Sequence, residues 1–287
     1  SKYRTVGIYL GVLGIGYNTE LLAKKKVTAP ACWKDLIKPE FAGEVQMAHF
    51  GKDIRVDKKG VIDLVTEIDI EIERGFRAMI AERFPDHAVL GEEFGSGESG
   101  NRIPHFCWVF DPIDGTTNYA HGLPIFCSSL AFEVDGEPVV AAIYDPNRRE
   151  LFTAERGQGA WLNGAPLRVS AAATLIDSLL VTGFHYDVQK DPGSVMDLFA
   201  AFISRARAVR RLGSAALDLA YVAAGRFDGF WERRLQPWDV AGGALIVAEA
   251  GGQVTAMSGG RYSSREGSVL ASNGLIHAQM LETIGNL

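Results

Sequence analysis

Asp111-Pro112-Ile113-Asp114-Gly115-Thr116 is the stretch of this chain best equipped for chemistry. Pro112 stiffens a tight turn after a strand and keeps Asp111 out of helical geometry. Two carboxylates three residues apart then face one centre. Gly115 lets the backbone approach a ligand closely, as phosphate cradles require. A helix opening at Thr116 would add free N–H groups and a positive dipole end. Hard Mg²⁺ takes carboxylate, carbonyl and water oxygens and bridges to substrate phosphate. Metal ligands beside an anion site are what metal-assisted phosphate-ester hydrolysis needs. Further carboxylates stand at element ends: Glu92 after a strand, Asp69 in the first turn of a helix beginning near Thr66, and Asp239 in the first turn of a later helix. Each has a plainer reading alone. Asp-Pro-x-Asp-Gly is often only a turn. Thr66-x-x-Asp69 matches a capping box with Asp in place of Glu. Asp239 favours its helix dipole, and Glu92-Glu93 before a Gly-rich loop is an ordinary solvated pair.

The elements that must position these residues alternate between strand-like and helix-like, which predicts an α/β or α+β layered fold. Ile68, Ile72, Phe76, Met79 and Ile80 follow helical spacing between Thr66 and Arg83, and Phe84-Pro85 ends that helix. His87–Leu90 and Phe106–Phe110 read as short buried strands. Strands flanking Asp135-Gly136, then Glu150–Glu155 and the Asn163-Gly164 turn, predict an antiparallel meander. Ser214 is a natural N-cap for a helix to Ala224. Pro237 sits near the first turn of a helix that Gly251-Gly252 stops.

The 287 residues, 47% apolar and 22% charged, exclude a disordered tail, a collagen-like fibre and a polytopic membrane protein. Lys and Arg total 29 against 35 Asp and Glu, a net charge of −6, which does not favour a nucleic-acid or anionic-membrane binder. Cys32, Cys107 and Cys127 form no CxxC pair, so reduced thiols in a cytoplasmic protein are expected. The uncharged run Thr5–Thr19 falls short of the roughly 20 residues a bilayer needs.

Trp108-Val109-Phe110-Asp111-Pro112-Ile113-Asp114-Gly115-Thr116-Thr117-Asn118 and Trp238-Asp239-Val240-Ala241-Gly242-Gly243-Ala244 resemble the two signatures of the inositol monophosphatase family. Gly91-Glu92-Glu93, Asp63-Leu64-Val65-Thr66-Glu67-Ile68-Asp69 and Gly213-Ser214-Ala215-Ala216 follow its other landmarks in order. From about Gly43 onward the chain is similar to these lithium-sensitive phosphatases. The resemblance implies an αβαβα sandwich of mixed and antiparallel sheets, two or three Mg²⁺ ions and a homodimer. It implies that Glu92, Asp111, the Ile113 carbonyl, Asp114 and Asp239 hold the metal, with Asp111 bridging. Asp69 and Thr116, with metal-bound Glu92, would serve the attacking water. The N–H groups of Gly115 and Thr116 would bind phosphate. Asp114, the Gly213-Ser214-Ala215 segment and Glu232 would meet the polyol. Lys58 matches a basic position near the metal. The substrate is expected to be a small phosphomonoester, inositol monophosphate before histidinol phosphate, fructose 1,6-bisphosphate or adenosine bisphosphate, with no nucleic acid and no membrane as partner.

Residues 1–47 do not fit that family's usual long first helix. Gly7-Ile8-Tyr9-Leu10-Gly11-Val12-Leu13-Gly14-Ile15-Gly16-Tyr17-Asn18-Thr19-Glu20 and Pro30-Ala31-Cys32-Trp33-Lys34-Asp35-Leu36 instead resemble an interior piece of a periplasmic solute-binding protein of the iron-transport type. The join is expected within Phe41–Ala48, a string common to both. This gives a loosely packed segment 1–47 and a catalytic domain 48–287, with a metal and phosphate half at 48–170 and a substrate half at 171–287. A solute-binding protein without catalysis, or an interaction module on the same fold, are the competing functions.

Overall fold

The computed structural model describes residues 39–96 and 103–286, and the segment 1–38, including Cys32, lies outside them. Helix α1 (Pro39–His49) leads to a two-stranded ribbon, β1 (Val56–Lys58) and β2 (Leu64–Thr66), and then to α2 (Glu67–Arg83). A seven-stranded sheet follows in the order β3 (Ala88–Gly91), β4 (Phe106–Asp114), β5 (Cys127–Val134), β6 (Glu137–Asp145), β7 (Glu150–Glu155), β8 (Gly159–Leu162) and β9 (Ala165–Pro166), with the short helix α3 (Thr116–Ala120) after β4. Only β3 and β4 are parallel; the rest is the expected meander.

The second half builds a five-stranded sheet in the order β11-β10-β12-β14-β13. Its parts are β10 (Leu179–Thr182), α4 (Gly193–Ile203), β11 (Ala208–Arg210), α5 (Ala215–Ala223), β12 (Gly229–Arg233), α6 (Pro237–Glu249), β13 (Gln253–Thr255), β14 (Ser268–Ser272) and α7 (His277–Gly285). Here β10 runs parallel to β11 and β12, and β14 runs antiparallel to β12 and β13.

Side-chain alternation fixes the layers. Along β4, Trp108 and Phe110 pack with Ile68, Ile72, Phe76 and Ile80 of α2, while Cys107 and Val109 pack with Ala241 of α6. That is the period of two expected of a sheet buried on both faces. The four-residue spacing of the α2 stripe is one helical face. Helices α5 and α6 fill the space between the sheets with Leu217, Leu219, Val240 and Ile246 against Ile143, Phe152 and Phe230. Leu198, Phe202 and Met280 of α4 and α7 cover Leu180, Trp231 and Leu270 on the far face of the second sheet. The result is the αβαβα sandwich. Ala42 of α1 joins the α2 cluster and anchors α1 to the fold. Among the described residues no helix is long and apolar enough to cross a membrane.

Candidate active site

Two carboxylates come from β4, which continues as a strand through Asp114 rather than turning after Phe110. Asp111 pairs with Ser129 and Asp114 with Cys127, so Pro112 and Ile113 together oppose Ser128 alone. In a regular strand, residues three apart point to opposite faces. The extra residue of a bulge returns Asp111 and Asp114 to one side. A bulge is also where a sheet tolerates proline, which has no N–H for the ladder. The Pro112 carbonyl is satisfied from the flank: Ser128 Oγ donates to it at 2.9 Å and Gln46 Nε2 at 2.7 Å. Tyr119 in turn donates its hydroxyl to the Gln46 carbonyl at 2.7 Å, so α1 braces the bulge.

Asp239 arrives on the first turn of α6, where its Oδ2 accepts the Gln236 N–H at 2.7 Å. One oxygen each from Asp111, Asp114 and Asp239 then lies within 4.8 Å of the others. They line a cleft of about 380 Å³ together with Glu92, Ile113, Gly115 and Thr116. Asp111 is buried, and its Oδ1 has no partner among the described residues. Burial, then Glu92, Asp114 and Asp239, push its carboxyl well above the usual range. Burial raises Glu92 to about 7 against the opposing pull of Lys59. Burial and Asp114 raise Asp239. Hard oxygen donors, one buried without a partner, and repulsion that a cation would relieve together fit a divalent metal ion.

Asp69 serves two purposes. Its Oδ2 accepts the Thr66 N–H at 2.8 Å and the Thr66 hydroxyl at 2.5 Å, completing the capping box of α2. Its Oδ1 accepts the Thr116 hydroxyl at 3.4 Å, and that hydroxyl also donates to the Ile113 carbonyl at 2.9 Å. Burial raises Asp69 to about 7, opposed by the bonds from Thr66. Gly115 adopts φ 101, and a Cβ there would stand 2.9 Å from the Ile125 carbonyl oxygen, so glycine is required. Helix α3 does begin at Thr116 but has only five residues.

Two expectations are corrected. Ser214 precedes α5 but makes no side-chain cap. Its hydroxyl donates to Asp114 Oδ2 at 2.5 Å, while Ala216 N–H donates to the same oxygen at 2.8 Å and Ala215 N–H to Oδ1 at 3.3 Å. Asp114 therefore caps α5 from another strand, and a carboxylate outcompetes a neutral hydroxyl for those N–H groups. Lys58 is exposed on β1, and it is Lys59 whose ammonium reaches Glu92 at 2.6 Å and Glu93 at 3.0 Å. Lys59 stands just past the end of β1, where its N–H donates to the Asp63 carbonyl at 3.0 Å. Glu232, buried within electrostatic reach of Asp114 and Asp239, lines a second, much smaller cavity with His185. Burial raises its carboxyl to about 8 against the pull of Arg211. Gly213, at φ 90, holds its carbonyl near Gly115 and accepts from Asn118 Nδ2 at 3.4 Å.

Sequence reasoning passed over Lys59, Gln46, Tyr186 at the cleft and the buried acids Glu73 and Asp218. Glu73 carried a signal: an acid inside the apolar stripe of α2, one turn after Asp69. Asp218 sits buried on α5 with neither carboxylate oxygen partnered among the described residues.

Two family descriptions match parts of the chain. Residues 35–287 match the inositol monophosphatase family and residues 1–54 a bacterial extracellular solute-binding protein family, so the two overlap at 35–54. The inositol-1-monophosphatase of Synechocystis sp. is 44% identical over 244 residues, covering 85% of this chain and 84% of the relative. The Nus factor SuhB of Pseudomonas aeruginosa is 43% identical over 233 residues, covering 80% and 86%. The solved inositol monophosphatase of Anabaena (Nostoc) sp. PCC 7120 superposes with a TM-score of 0.77 at 40% identity, covering 86% of this chain and 92% of that one. On the family match, these relatives and the shared sandwich, the chain belongs to the inositol monophosphatase family.

Proposed function

We propose that this protein is a Mg²⁺-dependent phosphomonoesterase that hydrolyses inositol monophosphate to inositol and phosphate. The convergence of Asp111, Asp114 and Asp239 around a buried, unpartnered carboxylate oxygen carries the proposal. These three, with Glu92 and the Ile113 carbonyl, would hold two or three ions. Bound there, Mg²⁺ supplies Lewis acidity and lowers the pKa of water. The chain's own residues do the remaining work. Asp69 Oδ1 and Thr116 Oγ1, 3.4 Å apart, orient the attacking water and take its proton. A carboxylate raised to about 7 suits a base working near neutral pH. The N–H groups of Gly115 and Thr116 would hold the phosphate, on a turn that glycine allows to pack against the Ile125 and Gly213 carbonyls. Asp114, the Gly213-Ser214-Ala215 segment and Glu232 form the polyol side.

Release of inorganic phosphate from inositol 1-phosphate, histidinol phosphate, fructose 1,6-bisphosphate and adenosine 3′,5′-bisphosphate, with Mg²⁺ and with chelator, tests this reading. The highest kcat/KM is expected for inositol 1-phosphate, with loss of turnover on chelation. Preference for another ester removes the inositol assignment, and turnover that survives chelation removes the metal. Inhibition by LiCl, the mass in solution and the location in cells test the lithium sensitivity, the homodimer and the cytoplasmic site that the family resemblance implies. The similarity to a Nus factor of Pseudomonas aeruginosa is a reason to titrate the protein with nucleic acid, for which no binding is expected.

A further inference from the structure

Glu73 lies fully buried in the middle of α2, among Ile72, Phe76 and Ile80. A buried carboxylate is costly unless every oxygen is matched. Arg77, one turn on, donates Nε to Oε1 at 2.8 Å. The other partners belong to the loop after β3: the Glu93 N–H donates to Oε2 at 2.7 Å and the Phe94 N–H to Oε1 at 3.3 Å. Two successive amides converging on one anion form a small nest. Gly91 makes room for it, since a Cβ there would stand 2.2 Å from Oε1.

Arg77 closes the arrangement from the other side. Its Nη1 donates to the Val89 carbonyl at 3.2 Å and its Nη2 to the Gly95 carbonyl at 2.5 Å. Gly91 and Gly95 exchange N–H to carbonyl bonds of 3.1 and 3.0 Å, so the loop between them is a closed ring. Glu92 is the residue of that ring directed at the cleft. It is flanked by Gly91, held through Gly95, and by Glu93, held through Glu73.

We propose that Glu73 and Arg77 form a positioning clamp that sets the Glu92 carboxylate in the cleft and thereby raises its affinity for a divalent cation. The inference rests on the reading of Glu92 as a metal ligand. Asp69, Glu73 and Arg77 recur every four residues and share one face of α2. One rigid helix therefore fixes the water-orienting acid and the Glu92 loop relative to each other. A buried ion pair contributes little net stability compared with apolar packing, whereas groups that orient metal ligands commonly account for about 10–100-fold in affinity.

The test is calorimetric titration of Mg²⁺ into the metal-stripped full chain, with hydrogen exchange of the residue 91–95 amides and Tm recorded alongside. Glu73→Gln keeps the size but removes the charge and one acceptor. Arg77→Lys keeps the charge but removes the fork to Val89 and Gly95, and it carries the test if Glu73→Gln does not fold. Each is expected to weaken Mg²⁺ binding about tenfold and to speed exchange at 91–95. Glu92→Gln is the reference, and adding Glu73→Gln to it should weaken binding no further, because the clamp acts through Glu92. Wild-type affinity in folded clamp variants overturns the clamp whatever their Tm, provided that Glu92→Gln binds weakly. Wild-type affinity in Glu92→Gln overturns the metal reading of Glu92 and the clamp with it.

Discussion

Two populations of buried acid lie on the seven-stranded sheet and its flanks, and they are handled oppositely. Glu133 on β5 is fully buried and gripped by both Arg265 amino groups, Nη2 at 2.6 Å and Nη1 at 3.2 Å. Arg265 belongs to the segment between β13 and β14, so the pair ties the first sheet to the second. Glu73 is matched by Arg77 in the same manner. At the end of β4, by contrast, Asp111, Asp114 and Asp239 crowd together, and Asp111 Oδ1 has no partner among the described residues. The same β4–β5 pair thus carries one acid whose charge is cancelled by an arginine and others whose charges crowd one another in the cleft. Matched acids tie elements together around the cleft, whereas the crowded acids of the cleft itself come at the expense of stability.

The largest break in this contrast is expected from Asp111→Asn. Loss of the central ligand should remove several kcal/mol of transition-state stabilisation, on the order of a thousandfold in kcat/KM. In the absence of metal the variant should be at least as stable as the parent, because a repelling charge has gone. Paired turnover assays and urea melts measure both, and near-normal turnover ends the bridging role assigned to Asp111. Arg265→Met should do the reverse. It strands a buried Glu133 and should destabilise by about 3–5 kcal/mol, while Mg²⁺ affinity stays at the parent level. A melt shifted by less than about 1 kcal/mol would show that Glu133 finds another partner.

Metal removal sharpens the contrast further. At Mg²⁺ a hundredfold above its Kd, linkage predicts about 2.7 kcal/mol of added stability, or several degrees in Tm for a domain of this size. The shift should vanish in Asp111→Asn and persist in Arg265→Met. Equal melting temperatures of the parent protein with and without millimolar Mg²⁺ would speak against a preorganised metal site.

How much of this was legible depended on whether the cue was local. The helix starts of α2 and α6 were read correctly from Thr66-x-x-Asp69 and Pro237, because a cap involves neighbours in sequence. In both, the Asp at the third position bonds the cap N–H with Oδ2, which leaves its second oxygen for chemistry. Capping by Asp69 therefore leaves an oxygen free of the cap and does not exclude the catalytic role proposed for it. What stayed hidden was non-local. The Asp111–Asp114 pair faces one way because Ser128, on the next strand, opposes two residues, and no turn residue announces that. The turn past β1 that brings Lys59 rather than Lys58 to Glu92, and the depth at which Glu232 lies beside His185, likewise follow from packing across the fold.

Ser214 shows the same limit and supplies the finest test of the comparison. A serine before a helix is a good cap candidate by sequence, and losing a cap costs about 1 kcal/mol. In the structure its hydroxyl is spent on Asp114, and the α5 N–H groups are served by the Asp114 carboxylate instead. Ser214→Ala should then leave α5 capped but free one oxygen of Asp114, a metal ligand in the proposed function, to rotate. A charge-assisted bond of this kind is worth about 1.5–3 kcal/mol, part of which the remaining Ala215 and Ala216 donors would recover. The expected outcome is Mg²⁺ affinity lowered several-fold with Tm in the absence of metal nearly unchanged, and recovery of affinity in Ser214→Thr, which restores a hydroxyl. If Tm falls by the value of a cap while the affinity holds, Ser214 belongs with the residues that hold the fold, and the boundary between the two populations of acid must be redrawn around Asp114.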